Sequence, residues 1–131
     1  MILITGFLNS CKTEDTTECD IEGVICTDLF TTHYVSVKDP EGTPISLDSI
    51  AVQVTASSET LFSENPVLND DGLFKLISDS EFDKITKEGT DVIFIGYIEG
   101  EIILQENFRV GHDCCHVVYI SGAQDIIATL P

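Results

Sequence analysis

The chain has 131 residues and a mass of 14.3 kDa, which suits one globular domain and not two. It has 23 acidic side chains against 6 Lys and Arg, and a formal charge of −17 repels phosphate backbones, so nucleic-acid binding is excluded. A hydrophobic content of 43% and a mean hydropathy of +0.18 are too high for a disordered acidic chain. No stretch reaches the ~18 consecutive apolar residues of a membrane-spanning helix.

The N-terminus is an apolar run that ends in a small residue and then a cysteine. Its last four residues, Leu8-Asn9-Ser10-Cys11, resemble the lipobox of a bacterial lipoprotein signal peptide. The resemblance implies that residues 1–10 are a signal-peptide remnant and that Cys11 carries the lipid. No Lys or Arg precedes the run, which is short for a signal core, and this leaves open a true start upstream of Met1. The alternative is an N-terminal β-strand with a buried Cys11.

Residues 11–22 are polar and acidic and show no apolar periodicity. They predict a tether between the lipid anchor and a domain at 23–131; the alternative is a plain solvated tail. Each buried CH₂ of an acyl chain contributes about 0.8 kcal/mol, so two or three chains would hold the domain on a membrane. The expected location is the cell envelope, as an outer-membrane lipoprotein whose side of the membrane stays open.

From Leu29 onward, short alternating segments are separated by turn residues, which predicts an all-β, antiparallel β-sandwich of about seven strands. The strands are expected near 33–37, 50–54, 74–76, 92–98, 102–110, 114–120 and 126–130. The polar stretch 57–71 is expected to contain no strand. Glu99-Gly100 predicts a tight hairpin turn. One short helix is expected near 79–88, because Ser78 and Glu81 form a capping-box pattern and Gly89 suits the helix end.

Three segments resemble the carboxypeptidase regulatory-like (transthyretin-like) β-sandwich. They are the turn Asp39-Pro-Glu-Gly-Thr-Pro44, the strand Val52-Gln-Val54 and the strand entry Asp71-Gly72-Leu-Phe74. The resemblance covers residues 30–77 and implies a transthyretin-like or immunoglobulin-like sandwich in an envelope lipoprotein, with no peptidase activity. The long spacing after Pro44 and the helix near 79–88 depart from the family pattern.

The four cysteines other than Cys11 are expected to form disulfides in an oxidising compartment. Cys19 and Cys26 lie near the start of the domain, whereas Cys114 and Cys115 are adjacent near its end. Neighbouring residues on a strand point to opposite faces, so each of the late cysteines is expected to reach a different partner. We expect two bonds that join the N-terminal segment to a late strand, with the pairing left open.

The segment His112-Asp-Cys-Cys-His116 suggests a metal site. On a regular strand His112, Cys114 and His116 share a face, but the outer two lie roughly 13 Å apart. Zinc needs its ligands at about 2.0 to 2.3 Å, so both histidines could reach one ion only if the strand bent sharply. A structural role is therefore expected. The alternative is a small metal-binding or redox protein that uses His112, Cys114, Cys115 and His116.

Two weaker candidates are His33 and the segment Asn69-Asp-Asp-Gly72. His33 is expected to be a core histidine with satisfied nitrogens. The segment fails the EF-hand spacing, which leaves either a hairpin turn or a loose calcium site that includes Asp39 or Glu41.

The sequence contains no pattern typical of a catalytic centre, such as a Gly-x-Ser-x-Gly elbow, a His-Glu-x-x-His helix or a phosphate-binding glycine loop. We therefore expect no enzyme and no cofactor. The predicted function is that of a lipid-anchored binding or structural module. Its partners are expected to be the membrane, reached through Cys11, and a protein or glycan of the envelope that the sequence does not identify.

Overall fold

Two β-sheets enclose the apolar core of the computed structural model, which describes Cys19, residues 26–66 and residues 71–130. The strands in these residues are β1 (Thr32–Lys38), β2 (Ser49–Val54), β3 (Thr60–Glu64), β4 (Leu73–Ser78), β5 (Thr90–Ile98), β6 (Glu101–His112), β7 (Val117–Ser121) and β8 (Asp125–Ile127). One sheet has the order β4-β1-β8 and the other β3-β2-β5-β6-β7. The predicted all-β sandwich is confirmed.

The core forms where the alternating pattern turns apolar side chains inward from both sheets. Val35 and Val37 of β1 are buried, as are Ile50 and Val52 of β2. The largest fully buried side chains of the two sheets are Phe74 on β4 and Phe94 on β5. Removing one such side chain from water contributes roughly 1.5–3 kcal/mol to stability, so the sandwich depends mainly on this core.

The strand count and one strand direction differ from the prediction. The described residues contain eight strands, and the additional one, β3, lies inside the stretch 57–71 that was predicted as polar. It is an edge strand that pairs only with β2, so it needs to bury little more than Leu61. The pair β1 and β8 is parallel, whereas all other neighbouring strands are antiparallel.

The predicted helix is a single 3-10 turn, Asp79–Lys84, and does not continue to residue 88. The capping box is confirmed: Glu81 accepts hydrogen bonds from the backbone N–H and the hydroxyl of Ser78, at 2.9 and 3.1 Å. The helix stops because Ile85 is extended and buried in the core. Gly89 is therefore no helix cap, and instead donates its N–H to the hydroxyl of Thr86 in the following loop, at 3.2 Å.

The strand register defines two ends of the sandwich. Thr90 pairs with Val110, and His112 with Val117, at the end where β6 turns into β7. We call this the stapled end. The opposite end contains the β5–β6 hairpin, whose Glu99 and Gly100 have the positive φ angles, 52° and 78°, expected of a tight hairpin turn. The part of the chain described here includes no helix with the length and apolar character needed to cross a bilayer.

Candidate functional site: the disulfide clasp

Two disulfides close the stapled end of the sandwich. Cys19 is bonded to Cys114 and Cys26 to Cys115, with Cα–Cα distances of 5.3 and 5.2 Å. The prediction that each early cysteine bonds one of the two adjacent late cysteines is confirmed, and the pairing left open by the sequence is now assigned. We use the term clasp for these four cysteines together with the turn at 113–116.

The late cysteines lie in the turn between β6 and β7 and not on a strand, so the strand predicted at 114–120 begins at Val117 instead. The backbone N–H of Asp113 donates to the carbonyl of His116 at 3.0 Å, which closes the turn. Cys114 has a φ of 73°, in the left-handed region. The two cysteine side chains diverge because of this turn, and the strand alternation that predicted the divergence does not apply.

The carboxylate of Asp113 stabilises the turn from within. Its Oδ1 accepts hydrogen bonds from the backbone N–H groups of His116 and Cys115, at 2.8 and 3.0 Å. These two bonds lower the pKa of Asp113 below its ordinary value, and the bond from His116 has the larger effect. The sharp bend that a metal site on residues 112–116 would require is therefore present, although its geometry is set by hydrogen bonds to a carboxylate.

Asp79, the first residue of the 3-10 helix, joins three elements at the stapled end. Its Oδ2 accepts from the N–H of Thr31 at 3.0 Å and from Nδ1 of His116 at 2.8 Å, while its Oδ1 accepts from the N–H of Val117 at 2.9 Å. Burial raises the pKa of Asp79, but the hydrogen bonds from His116, Val117 and Thr31 outweigh burial and lower it. Asp79 thus holds the start of β1 and the start of β7 against the helix.

His116 has a structural role between Asp79 and the N-terminal segment. A carboxylate accepts only, so Nδ1 of His116 is the donor to Asp79, and Nε2 forms a hydrogen bond of 2.9 Å with the hydroxyl of Thr27. Thr27 directly follows Cys26. The same segment is therefore held twice, once by a disulfide and once through this histidine.

His112 lies on the other side of the clasp and is 5% exposed. Its ring stacks on Phe82 with a centroid distance of 4.2 Å, and its Nδ1 accepts from the N–H of Cys114 at 3.0 Å. Nδ1 is also 4.0 Å from the sulfur of Cys19. The ligand-type atoms of Cys19, His112 and Cys114 all lie within 4.8 Å of one another.

The structure brings together only two of the four residues that the alternative metal-binding prediction names. His112 and Cys114 lie together, whereas Cys115 is bonded to Cys26 and His116 is bound by Asp79 and Thr27. The third member of the close group is Cys19, which the sequence predicts only as a disulfide partner. It is 93 residues from His112 in the chain, so no local spacing could reveal it.

The remaining candidates have structural environments or lie outside the described residues. His33 Nε2 bonds the carbonyl of Val117 at 3.2 Å, in line with a satisfied core histidine. Asp39 uses Oδ1 to accept from two backbone N–H groups of its own turn, at 2.9 Å each. Outside the described residues lie Cys11, the signal-peptide remnant 1–10, the tether except Cys19, and Asn69 and Asp70 of the calcium candidate.

A shallow groove of about 370 Å³ lies between β4 and the end of β3. Its walls include two exposed aromatic side chains, Phe30 at 64% and Tyr34 at 52% exposure. Polar groups line it as well, among them Glu64 and Lys75.

Comparison of the chain with protein-family models, with curated proteins and with solved structures finds no match in any of the three. Fold and clasp alone define the class: a small all-β domain whose N-terminal segment is closed onto the β6–β7 turn by two disulfides.

Proposed function

We propose that the protein is a lipid-anchored module of the cell envelope, with a transthyretin-like sandwich that serves a binding or structural role and no catalytic one. The anchor is Cys11, and residues 12–18 connect it to the clasp. The partner is a protein or a glycan of the envelope, and the bilayer is contacted through the lipid.

The observation that carries this proposal is the use of the cysteines. The sequence has five, and two disulfides join four of them. Such bonds persist in oxidising compartments outside the cytosol. The fifth cysteine, Cys11, is the one that follows an apolar run and a small residue, as lipid acceptors do. The disulfides and the lipobox resemblance thus both support a location in the cell envelope.

The groove supports a binding role over a purely mechanical one. Phe30 and Tyr34 expose ring surface on which a sugar ring or an apolar side chain can pack, and Glu64 and Lys75 supply an acceptor and a donor beside it. Lys75 is already held by Glu81 at 3.1 Å and lies over the ring of Phe62 at 4.1 Å, so its position is fixed before a partner arrives.

The decisive experiment is the intact mass of the protein extracted from membranes of cells that express it from its own locus. We expect a mass that corresponds to cleavage before Cys11, addition of two or three acyl chains and loss of four hydrogens for the two disulfides. The variant Cys11→Ser should lose the acyl mass and leave the membrane fraction. Ser10→Ala is the matched control, because alanine is also small and should leave processing intact. An unmodified full-length chain would reject the proposal.

A further inference from the structure

We propose that the sulfurs of Cys19 and Cys114, once reduced, form with Nδ1 of His112 a binding site for a thiophilic divalent cation such as Zn²⁺. The site differs from the four-residue set that the sequence suggests, because it includes Cys19 and excludes Cys115 and His116. It does not depend on the lipid anchor and goes beyond the proposed function.

The distances favour this set. In a tetrahedral zinc site with Zn–S near 2.3 Å and Zn–N near 2.0 to 2.1 Å, the ligand atoms lie about 3.5 to 3.8 Å from one another. In the disulfide-bonded state the sulfurs of Cys19 and Cys114 and Nδ1 of His112 already lie within 4.8 Å of one another, and Nδ1 is 4.0 Å from the sulfur of Cys19. From a disulfide, the two sulfurs need to separate by about 1.7 Å, which side-chain rotation supplies.

His112 is held in a form that can coordinate. Nδ1 accepts a hydrogen bond from the N–H of Cys114, so this nitrogen carries a lone pair and no proton. The ring is 5% exposed and stacked on Phe82, which fixes its plane. When a cation binds, it replaces the N–H of Cys114 as the partner of Nδ1.

The rest of the clasp keeps the ligands near one another. The turn that presents Cys114 is closed by hydrogen bonds to Asp113, and these do not involve a disulfide. His116 continues to connect Thr27 to Asp79, which retains the N-terminal segment at the stapled end. The formal charge of −17 also favours cations over anions around the molecule.

The chemistry balances with a phosphine as reductant. The phosphine takes an oxygen atom from water and is oxidised, while the disulfide gains two electrons and the two protons of that water to give two thiols. Zinc binding then releases both thiol protons and leaves two thiolates on the cation.

The test is the alkylation rate of each cysteine in the full-length wild-type chain. The protein is reduced with a phosphine and treated with N-ethylmaleimide, with or without one equivalent of Zn²⁺, and each cysteine is quantified by peptide mass spectrometry. We expect zinc to slow alkylation of Cys19 and Cys114 by about tenfold or more and to change Cys26 and Cys115 less than about twofold.

Two variants separate the two possible ligand sets. His112→Ala should remove the selective protection, whereas His116→Asn, which can still donate to Asp79, should retain it. Co²⁺ provides a second readout, since two thiolates on one Co²⁺ give a sulfur-to-metal charge-transfer band with a 1:1 endpoint. Uniform protection, absence of protection, protection of Cys114 with Cys115, or loss of the pattern in His116→Asn would each overturn the proposal. A reduced chain that unfolds and shows no selective pattern counts against it equally, while leaving the mass experiment on Cys11 unaffected.

Discussion

The two disulfides should contribute to stability in a strongly non-additive way, because each closes a small loop once the other is present. Cys19 and Cys26 lie seven positions apart, and their partners are adjacent. With one bond in place, the second closes a ring of only about nine residues. With neither bond in place, the first closes a loop with a sequence separation of 95 or 89.

The chain-entropy relation gives the magnitudes. Closing a loop of about 95 residues is worth about 4.7 kcal/mol, and closing one of about nine residues is worth about 2.6 kcal/mol. Replacing either pair alone by serine should therefore cost about 2.6 kcal/mol. Replacing both pairs should cost about 7 kcal/mol, which exceeds the sum of the two single losses by about 2 kcal/mol.

The assay is equilibrium unfolding in guanidinium chloride without reductant, with all proteins in a Cys11→Ser background so that no thiol can exchange with the disulfides. Trimethylamine oxide can be added equally to all samples if the four-serine variant is too weakly folded to measure. A loss of about 4.7 kcal/mol for either pair alone, or two losses that simply add, would refute the loop-closure explanation. Unequal losses for the two pairs would mean that one bond is strained or also contributes through packing.

Three further predictions concern single side chains. Gly72 has a φ of 70° and a Cβ there would lie 2.7 Å from the carbonyl oxygen of Val37, so Gly72→Ala should lower the free energy of unfolding by about 2–3 kcal/mol. The control Gly42→Ala, at a residue with a φ of 89° and open space around it, should lower it by about 1 kcal/mol. Equal losses in denaturant unfolding would contradict this prediction. Asp79→Asn should cost about 1–3 kcal/mol at neutral pH, because an amide NH₂ would face backbone donors. Folding lowers the pKa of Asp79, so its carboxylate stabilises the fold above the ordinary pKa of Asp, near 3.9, and this stabilisation is lost as the pH falls below that value. Urea unfolding at a series of pH values should therefore show a smaller loss of stability in acid for Asp79→Asn than for the wild type. Parallel curves would contradict the assignment. Tyr34→Ala should change the thermal stability by no more than about 0.5 kcal/mol, because the ring is 52% exposed, and a larger loss would make Tyr34 a folding residue rather than a groove residue.

Much of the sandwich could be predicted because its strands follow simple alternation. The β5–β6 hairpin is an example, because both its turn residues and its apolar strand residues can be recognised in the sequence. Strand β3 was missed because an edge strand buries one face only partly, so Leu61 is its single buried side chain. The parallel pairing of β8 with β1 was also missed, since alternation within a strand carries no information on its direction.

The clasp could be predicted in outline but not in detail. The even number of cysteines other than Cys11, and their positions, are enough to predict two bonds that join Cys19 and Cys26 to Cys114 and Cys115. The turn at 113–116 could not be predicted from the sequence. The carboxylate of Asp113 bonds the backbone N–H groups of Cys115 and His116, and such local hydrogen bonds compete with the pairing of the same residues in a strand. Asp79 was read only as part of a helix start, and its contacts to His116 and Val117 span 37 and 38 residues.

The pairing also determines how far the sandwich can stand from an anchor at Cys11. Cys19 is eight positions beyond Cys11, and a fully extended chain spans at most about 3.5 Å per residue, so the clasp lies within about 28 Å of Cys11. If the Cys19–Cys114 bond is open and the Cys26–Cys115 bond intact, the first covalent attachment moves to Cys26, and the limit rises to about 52 Å. A cation bound by Cys19, His112 and Cys114 would restore the shorter limit in the reduced chain. If Cys11 carries a lipid, opening the Cys19–Cys114 bond would therefore lengthen the tether, and a cation on the same residues would shorten it again, while the Cys26–Cys115 bond keeps Cys26 on the sandwich.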